Sequence, residues 1–312
     1  MSETETTQNE PWTILRMLQW TTEHLKKHGS PSARLDAEVL FAHARKCKRI
    51  DLYAAFNEEP PEEVKAVFRE LVKRRAAGEP VAYLVGQKEF YSLSFLVDKR
   101  CLIPRGETEH IVVECLDRLK KLPTPNPDSP PIQIVDVCTG SGCIAVTIAK
   151  EAQRIAKPVA VTAIDISSDA LAVARQNVEL HQVQNMVSCI EADLLSTIEP
   201  NSCDFVLSNP PYVSLAEFEI LDKSVRNFEP RLALVSGEQG TEVIQRLIAQ
   251  SAQCLKPGGW LIFELSPMIF ANCRASLESS GNWQDIRQVK DLAGLPRLLV
   301  AQKPISASPS PS

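Results

Sequence analysis

Ile132-Gln133-Ile134-Val135-Asp136-Val137 runs straight into Cys138-Thr139-Gly140-Ser141-Gly142, and residues 143–154 continue at helical spacing. A short β-branched run stopped by a glycine loop reads as a buried strand. Gly140 and Gly142 let the backbone turn sharply and approach a ligand closely where the next helix begins. The pattern then repeats: strand over 159–164, helix over 169–181, strands over 187–190 and 203–208, helices within 214–226 and 241–254. Strand 260–264, helix 267–279 and strands 284–289 and 297–302 complete it. Such alternation implies an α/β domain whose sheet of seven strands is mostly parallel, with helices on both faces. The last two strands have no helix between them and are expected to form an antiparallel pair at the edge.

Upstream, residues 12–78 read as helical throughout, a small bundle. Ile14, Leu15, Leu18 and Leu25 recur at helical spacing, and Trp12 and Trp20 are expected in the same core. Ser30-Pro31 offers an N-cap and a first-position proline for a second helix striped by Leu35, Val39, Leu40 and Ala44. A third starts near Pro60-Pro61, carries Val64, Val67, Phe68 and Leu71, and ends at Gly78 with Arg74 and Arg75 in its last turn. Segments 81–85, 88–91 and 94–97 read as short strands, a hairpin bridging two domains, and a helix resumes over 107–122. A proline-rich loop over 123–131 leads into the quoted strand. The expected domains are therefore a helical bundle at 11–79, a hairpin linker at 80–103 and an α/β domain at 104–303, with disordered ends at 1–10 and 304–312.

The 312 residues carry a net charge of −5, so no general attraction to nucleic acid is evident. Lys73-Arg74-Arg75 reads as a solvated helix face. Nine cysteines without a CxxC pair suggest reduced thiols rather than a disulfide framework or a metal site. Residues 1–10 are polar, with no secretory pattern, and no apolar run is long enough to span a membrane. A cytoplasmic protein without a metal is the expectation. The five histidines lie away from strand ends and read as ordinary surface or half-buried residues.

In such a sheet, ligands bind beyond the carboxyl ends of the strands. Asp136 closes the first strand and suits a ligand with a cationic amino acid portion; no basic residue in the loop invites a pyrophosphate. Asp165 closes the second and can accept both hydroxyls of an adenosine ribose. Asp193 follows the third, in reach of an adenine amino group. Singly, each acid could merely cap the next helix. Together around one glycine loop, they describe an adenosyl site.

The fourth strand, Phe205-Val206-Leu207-Ser208, opens into Asn209-Pro210-Pro211-Tyr212. Two prolines fix two φ angles and remove two N–H donors. The Asn209 side-chain oxygen and the Pro210 carbonyl can then both accept from one planar NH₂ group, while Tyr212 offers an aromatic face. That set selects an amino group on an sp² carbon, whose delocalised lone pair needs positioning more than a base.

With these residues the chain resembles the bacterial peptide chain release factor glutamine methyltransferases along nearly its whole length. The likeness runs through Gly78-Glu79-Pro80-Val81-Ala82-Tyr83-Leu84, Glu89-Phe90-Tyr91, Leu102-Ile103-Pro104-Arg105, Glu107-Thr108-Glu109, Asn209 to Tyr212, Phe228-Glu229-Pro230 and Lys290-Asp291-Leu292-Ala293-Gly294. The resemblance implies a class I, Rossmann-like methyltransferase domain behind a helical substrate-docking domain. It implies S-adenosylmethionine bound at the loop from Cys138 through Thr139, Gly140 and Ser141 to Gly142, at Asp165, next to Leu194 and at Asn209. It also implies methyl transfer to the glutamine nitrogen of the Gly-Gly-Gln loop of class 1 release factors, with Asn209, Pro210, Pro211 and Tyr212 holding that glutamine. Two stretches depart from the family pattern: Cys138 replaces the first loop glycine, and Gly106 stands where proline is usual, followed by Glu107 for the more usual aspartate. A cysteine also occurs at the first position in the sister enzyme acting on a large-subunit ribosomal protein, whereas Glu107-Thr108-Glu109 and Asp291-Leu292-Ala293-Gly294 lean towards the release factor enzyme. The same adenosyl site would also serve an enzyme acting on the adenine amino group of DNA or RNA, or a cofactor-binding protein without catalysis. Intact Asn209 to Tyr212 argues against the last. Arg105 and Glu107 are expected either to line the cofactor entrance or to form an interdomain salt bridge. Lys256-Pro257-Gly258-Gly259 reads as a turn.

Overall fold

Apolar residues recurring at intervals of three and four make the first part of the chain helical. The computed structural model describes residues 11–123, 129–291 and 293–305. The expectations for 1–10, for 306–312 and for the centre of the proline-rich loop at 124–128 lie outside the described residues. The described chain divides into two units, one running to Gly86 and taking in Lys223–Phe228, the other holding the rest.

The first unit contains α1 (Ile14–Lys27), α2 (Ala33–Arg45), α3 (Asp51–Ala54), α4 (Glu62–Ala76) and α5 (Val81–Val85). Leu18, Leu25, Leu40, Phe41, Leu52 and Phe68 are fully or almost fully buried at its centre. Phe41 and Phe68 meet edge to face at 4.7 Å. Several expectations fail here for local reasons, and the phases of α2 and α4 leave Leu35 and Val67 of the expected stripes exposed. Trp20 is exposed because the buried stripe of α1 falls on Ile14, Met17, Leu18, Thr21, Thr22 and Leu25 instead, and Trp12, also exposed, lies before the N-cap Thr13. Helix α2 starts at Ala33 behind Ser32, not at Pro31. The hydroxyls of Ser30 and Ser32 donate to the two oxygens of Asp36; Ser32, the N-cap, makes no capping bond, and Ser30 Oγ accepts from the Ser32 N–H, ahead of the helix. Segment 81–85 is a helical turn, not a strand: burial of Leu84 in the helical core overrides its β-propensity. Arg74 and Arg75 pair with Glu79 and Asp36.

The second unit opens with a hairpin, β1 (Gln87–Phe90) and β2 (Leu93–Leu96). Tyr91 and Ser92, at φ 50° and 59°, form its two-residue turn, the left-handed pair that suits the strand twist. Asn177 clamps the hairpin, accepting from the Leu96 N–H and donating to its carbonyl. Then follow α6 (Glu109–Lys121), β3 (Ile132–Val137), α7 (Cys143–Arg154), β4 (Val159–Asp165), α8 (Ser168–Leu180), β5 (Val187–Glu191), β6 (Cys203–Ser208), β7 (Val213–Ser214) and α9 (Leu215–Ile220). After α10 (Lys223–Arg226), which clusters with the first unit, come β8 (Val235–Gly237), α11 (Glu242–Cys254), β9 (Leu255–Glu264), α12 (Phe270–Ser279), β10 (Gln284–Lys290) and β11 (Pro296–Gln302).

Seven strands form one sheet in the order β10-β11-β9-β6-β3-β4-β5. Only β11 runs against the rest, antiparallel to both β9 and β10. The side-chain period of two splits the interior into two layers. Ile134, Phe205, Leu207 and Ile262 face one, while Val135, Val206, Leu261 and Phe263 face the other. Residues 256–259 belong to β9 rather than to a free turn, and the extra length is absorbed as a bulge against β6. The chain leaves β3 towards β4 and β5, then crosses back to β6 on the other side. The crevice between the carboxyl ends of β3 and β6 is therefore the switch point where ligands bind.

Candidate active site

Cys138, Gly140, Asp165, Asp193, Leu194 and Asn209 line that crevice together with Pro211. The helical unit holds a larger hollow, about 720 Å³, but it gathers none of the predicted site residues. Thr139 and Ser141 are buried behind the crevice wall, and Gly142 packs on α8, where an added Cβ would lie 3.2 Å from that of Ala174.

Asp136 is fully buried behind the loop. Its Oδ2 accepts from the Thr139 hydroxyl at 2.5 Å and from the Ala145 N–H at 3.1 Å, tying the loop to the first turn of α7. Its Oδ1 has no partner among the described residues. Burial pushes the carboxyl up to about 7, against the pull of the two hydrogen bonds. A half-satisfied buried carboxylate favours a cationic ligand nearby.

Asp165 accepts from Gly140 N–H at 2.9 Å through Oδ2 and from Ser167 N–H at 3.0 Å through Oδ1. Each oxygen keeps a lone pair, which suits a vicinal diol. Burial raises its pKa, opposed by these backbone donors. Asp193 stands at the rim, half exposed and paired with Arg246 at 2.5 Å, so its carboxylate is already shared. Leu194, at φ 52°, is buried beside it. Cys138 adopts φ 58°, the left-handed region that glycine enters without cost. Burial raises its thiol pKa, which keeps the group protonated and neutral.

Asn209 donates from Nδ2 to the Thr108 hydroxyl at 3.0 Å. Thr108 donates to Glu264 Oε2 at 2.6 Å, and the Tyr212 hydroxyl donates to Glu264 Oε1 at 3.2 Å. Glu264 is 2% exposed, and burial raises its pKa against those two bonds. Burial and the Glu264 charge also raise the Tyr212 pKa, so its hydroxyl keeps its proton. Pro210 and Pro211 are buried, whereas Asn209 and Tyr212 are partly open. Arg105 pairs with the buried Glu229, which also accepts from Ile103 N–H; the bridge lies inside this unit, not between domains as expected.

Thr108 and Glu264 escaped the sequence reading. Glu264 closes strand β9 as Asp136 and Asp165 close theirs, so the strand-end rule extended to the fifth strand would have found it. Gly240 supports the segment from behind. At φ 78°, its Cβ position lies 2.7 Å from the Tyr212 carbonyl oxygen. Gly240→Ala is expected to destabilise the fold by about 1–3 kcal/mol through overpacking. An unchanged denaturation midpoint would show that the loop can yield.

The residues fit an adenosyl ligand with a cationic amino acid tail, and the sheet order is that of class I methyltransferases using S-adenosylmethionine. Residues 16–86 match the PrmC N-terminal domain and residues 119–232 the methyltransferase small domain. The release factor glutamine methyltransferase of Rhodopirellula baltica is 48% identical over 96% of this chain and 99% of its own. That of Koribacter versatilis is 38% identical over 94% of this chain and 100% of its own. The chain belongs to the release factor glutamine methyltransferase family. Among solved structures, the catalytic domain of hMettl16, in complex with MAT2A 3'UTR hairpin 6, shares the fold with a TM-score of 0.55. It is 15% identical and covers 78% of this chain and 84% of that one.

Proposed function

We propose that this enzyme methylates the side-chain nitrogen of the glutamine in the Gly-Gly-Gln loop of class 1 release factors. One observation carries the site assignment: Asn209 turns Nδ2 to Thr108, which leaves Oδ1 as an acceptor at the crevice. S-adenosylmethionine supplies an electrophilic methyl group. Asn209 Oδ1 and the Pro210 carbonyl accept the two amide hydrogens, and the Tyr212 ring packs on the amide plane. Those acceptors raise electron density on nitrogen and aim its lone pair. The amide nitrogen would take the methyl group as the methyl–sulfur bond breaks, and one N–H proton would pass to water. Asp165 would hold the ribose, Asp193 and Leu194 would flank the adenine, and Asp136 would brace the loop from Cys138 to Gly142 around the amino acid tail.

Family membership supports a release factor as partner, docked through residues 11–79 ahead of the hairpin and the α/β domain. The net charge of −5 fits a protein substrate better than a phosphate backbone. Nine free cysteines fit the cytoplasm, and among the described residues no helix is long and apolar enough to cross a membrane.

Labelled S-adenosylmethionine with an intact release factor is expected to label the loop glutamine, and Gln→Glu at that position to abolish labelling because NH₂ becomes oxygen. Label persisting in that control, or appearing on a ribosomal protein or duplex DNA instead, would overturn the reading.

A further inference from the structure

We propose that Thr108 and Glu264 are positioning residues that fix which end of the Asn209 amide faces the substrate. The inference rests on the glutamine reading, because only a substrate NH₂ needs an acceptor at that point. A carboxylate only accepts hydrogen bonds, so both hydroxyls touching Glu264 must point their hydrogens at it. Thr108 has a single hydroxyl hydrogen, and it is committed to Oε2 at 2.6 Å. Only lone pairs remain on Thr108 Oγ1 for Asn209, so the amide must present Nδ2 there, at 3.0 Å. Flipping the amide would set two acceptors against each other. The direction of every hydrogen bond is thus dictated from Glu264 outward, and Asn209 Oδ1 is left for the substrate. Tyr212, at the other carboxylate oxygen, is held by the same group.

Two further features fit this role better than simple tethering. Thr108 occupies the N-cap of α6, where a threonine ordinarily accepts from the helix backbone, yet it makes no capping bond. Its hydroxyl is spent on an acid 156 residues away. Glu264 closes an apolar strand in the sheet interior, where a carboxylate is costly and no packing requirement calls for one. Glu107 and Arg297 act on it with opposite charges, and the two hydroxyls are its hydrogen-bond donors.

The test uses the full-length enzyme with Thr108→Val, Thr108→Ser and Glu264→Gln, measuring kcat and KM for an intact release factor and Kd for S-adenosylmethionine. Thr108→Val is expected to lower kcat about 10-fold or more, with cofactor Kd and release factor KM within about threefold. Thr108→Ser, which keeps the hydroxyl, should restore most of kcat. Glu264→Gln keeps one acceptor oxygen for Thr108 and can turn its NH₂ to Tyr212, so it should fall between Thr108→Val and wild type. If Glu264→Gln does not fold, the two threonine variants decide alone. Wild-type turnover in Thr108→Val, or a serine variant as impaired as the valine one, overturns the inference. A wild-type enzyme that labels no glutamine overturns the substrate reading and this inference together; an active wild type with unimpaired variants overturns the inference alone.

Discussion

Asn209→Ala is expected to lower the methylation rate by roughly 10²-fold or more, the scale for losing one preorganised polar contact at a reacting centre. An amide nitrogen is a poor nucleophile because its lone pair is delocalised into the carbonyl. Among the described residues, Glu264 is the base within the Asn209–Thr108–Glu264–Tyr212 set, its two oxygens accept from the Thr108 and Tyr212 hydroxyls, and the tyrosine keeps its proton. The rate must therefore come from holding the two N–H bonds and aiming the lone pair. Alanine removes the side-chain acceptor and leaves only the Pro210 carbonyl. Cofactor affinity should fall far less, since Asn209 acts chiefly on the target nitrogen. Single-turnover rates alongside calorimetry separate the two; a near-normal rate in a folded variant would contradict the mechanism.

Asp165→Ala should weaken S-adenosylmethionine binding by about 1.5–3 kcal/mol, the range for hydrogen bonds to a charged group. Two losses combine in that figure. The ribose loses its acceptor, and the Gly140 N–H loses the carboxylate oxygen that holds it at 2.9 Å. Asp165→Asn keeps the shape and one acceptor, so it should fall between alanine and wild type. Calorimetry giving the same affinity for all three would remove Asp165 from the site.

The glycine loop and its strand were legible because chemistry there is local. β-Branched residues, two glycines and a helical stripe follow one another between Ile132 and Arg154 with nothing inserted. The acidic strand ends around the crevice followed from topology, which the alternation of elements already implied. Other features depend on partners far along the chain. Leu84 makes 81–85 helical only because a helical core receives it. Ser30 fails as a cap because α2 begins only at Ala33, while its hydroxyl donates to Asp36, six residues on. Trp12 and Trp20 look like core by composition, but Trp12 falls before α1 begins and the phase of α1 turns Trp20 outward. The link from Thr108 to Glu264 has no local signature at all, since it joins a helix start to a strand end 156 residues later. Cys138 lies between these cases. Its replacement of a glycine was visible, while the left-handed φ that explains the usual glycine was not.

The threading of β11 between β9 and β10 also bears on how the molecule is made. β10 leaves the ribosome before β11, yet β11 is its only neighbour in the sheet. During synthesis β10 must wait, unpaired, while β9 presents an open apolar edge of the kind that invites pairing with other chains. Both vulnerabilities end together when residues 296–302 slot in. A nascent chain stopping short of Pro296 would therefore be a ready client for chaperones or proteases, even with the methyl-transfer crevice already assembled.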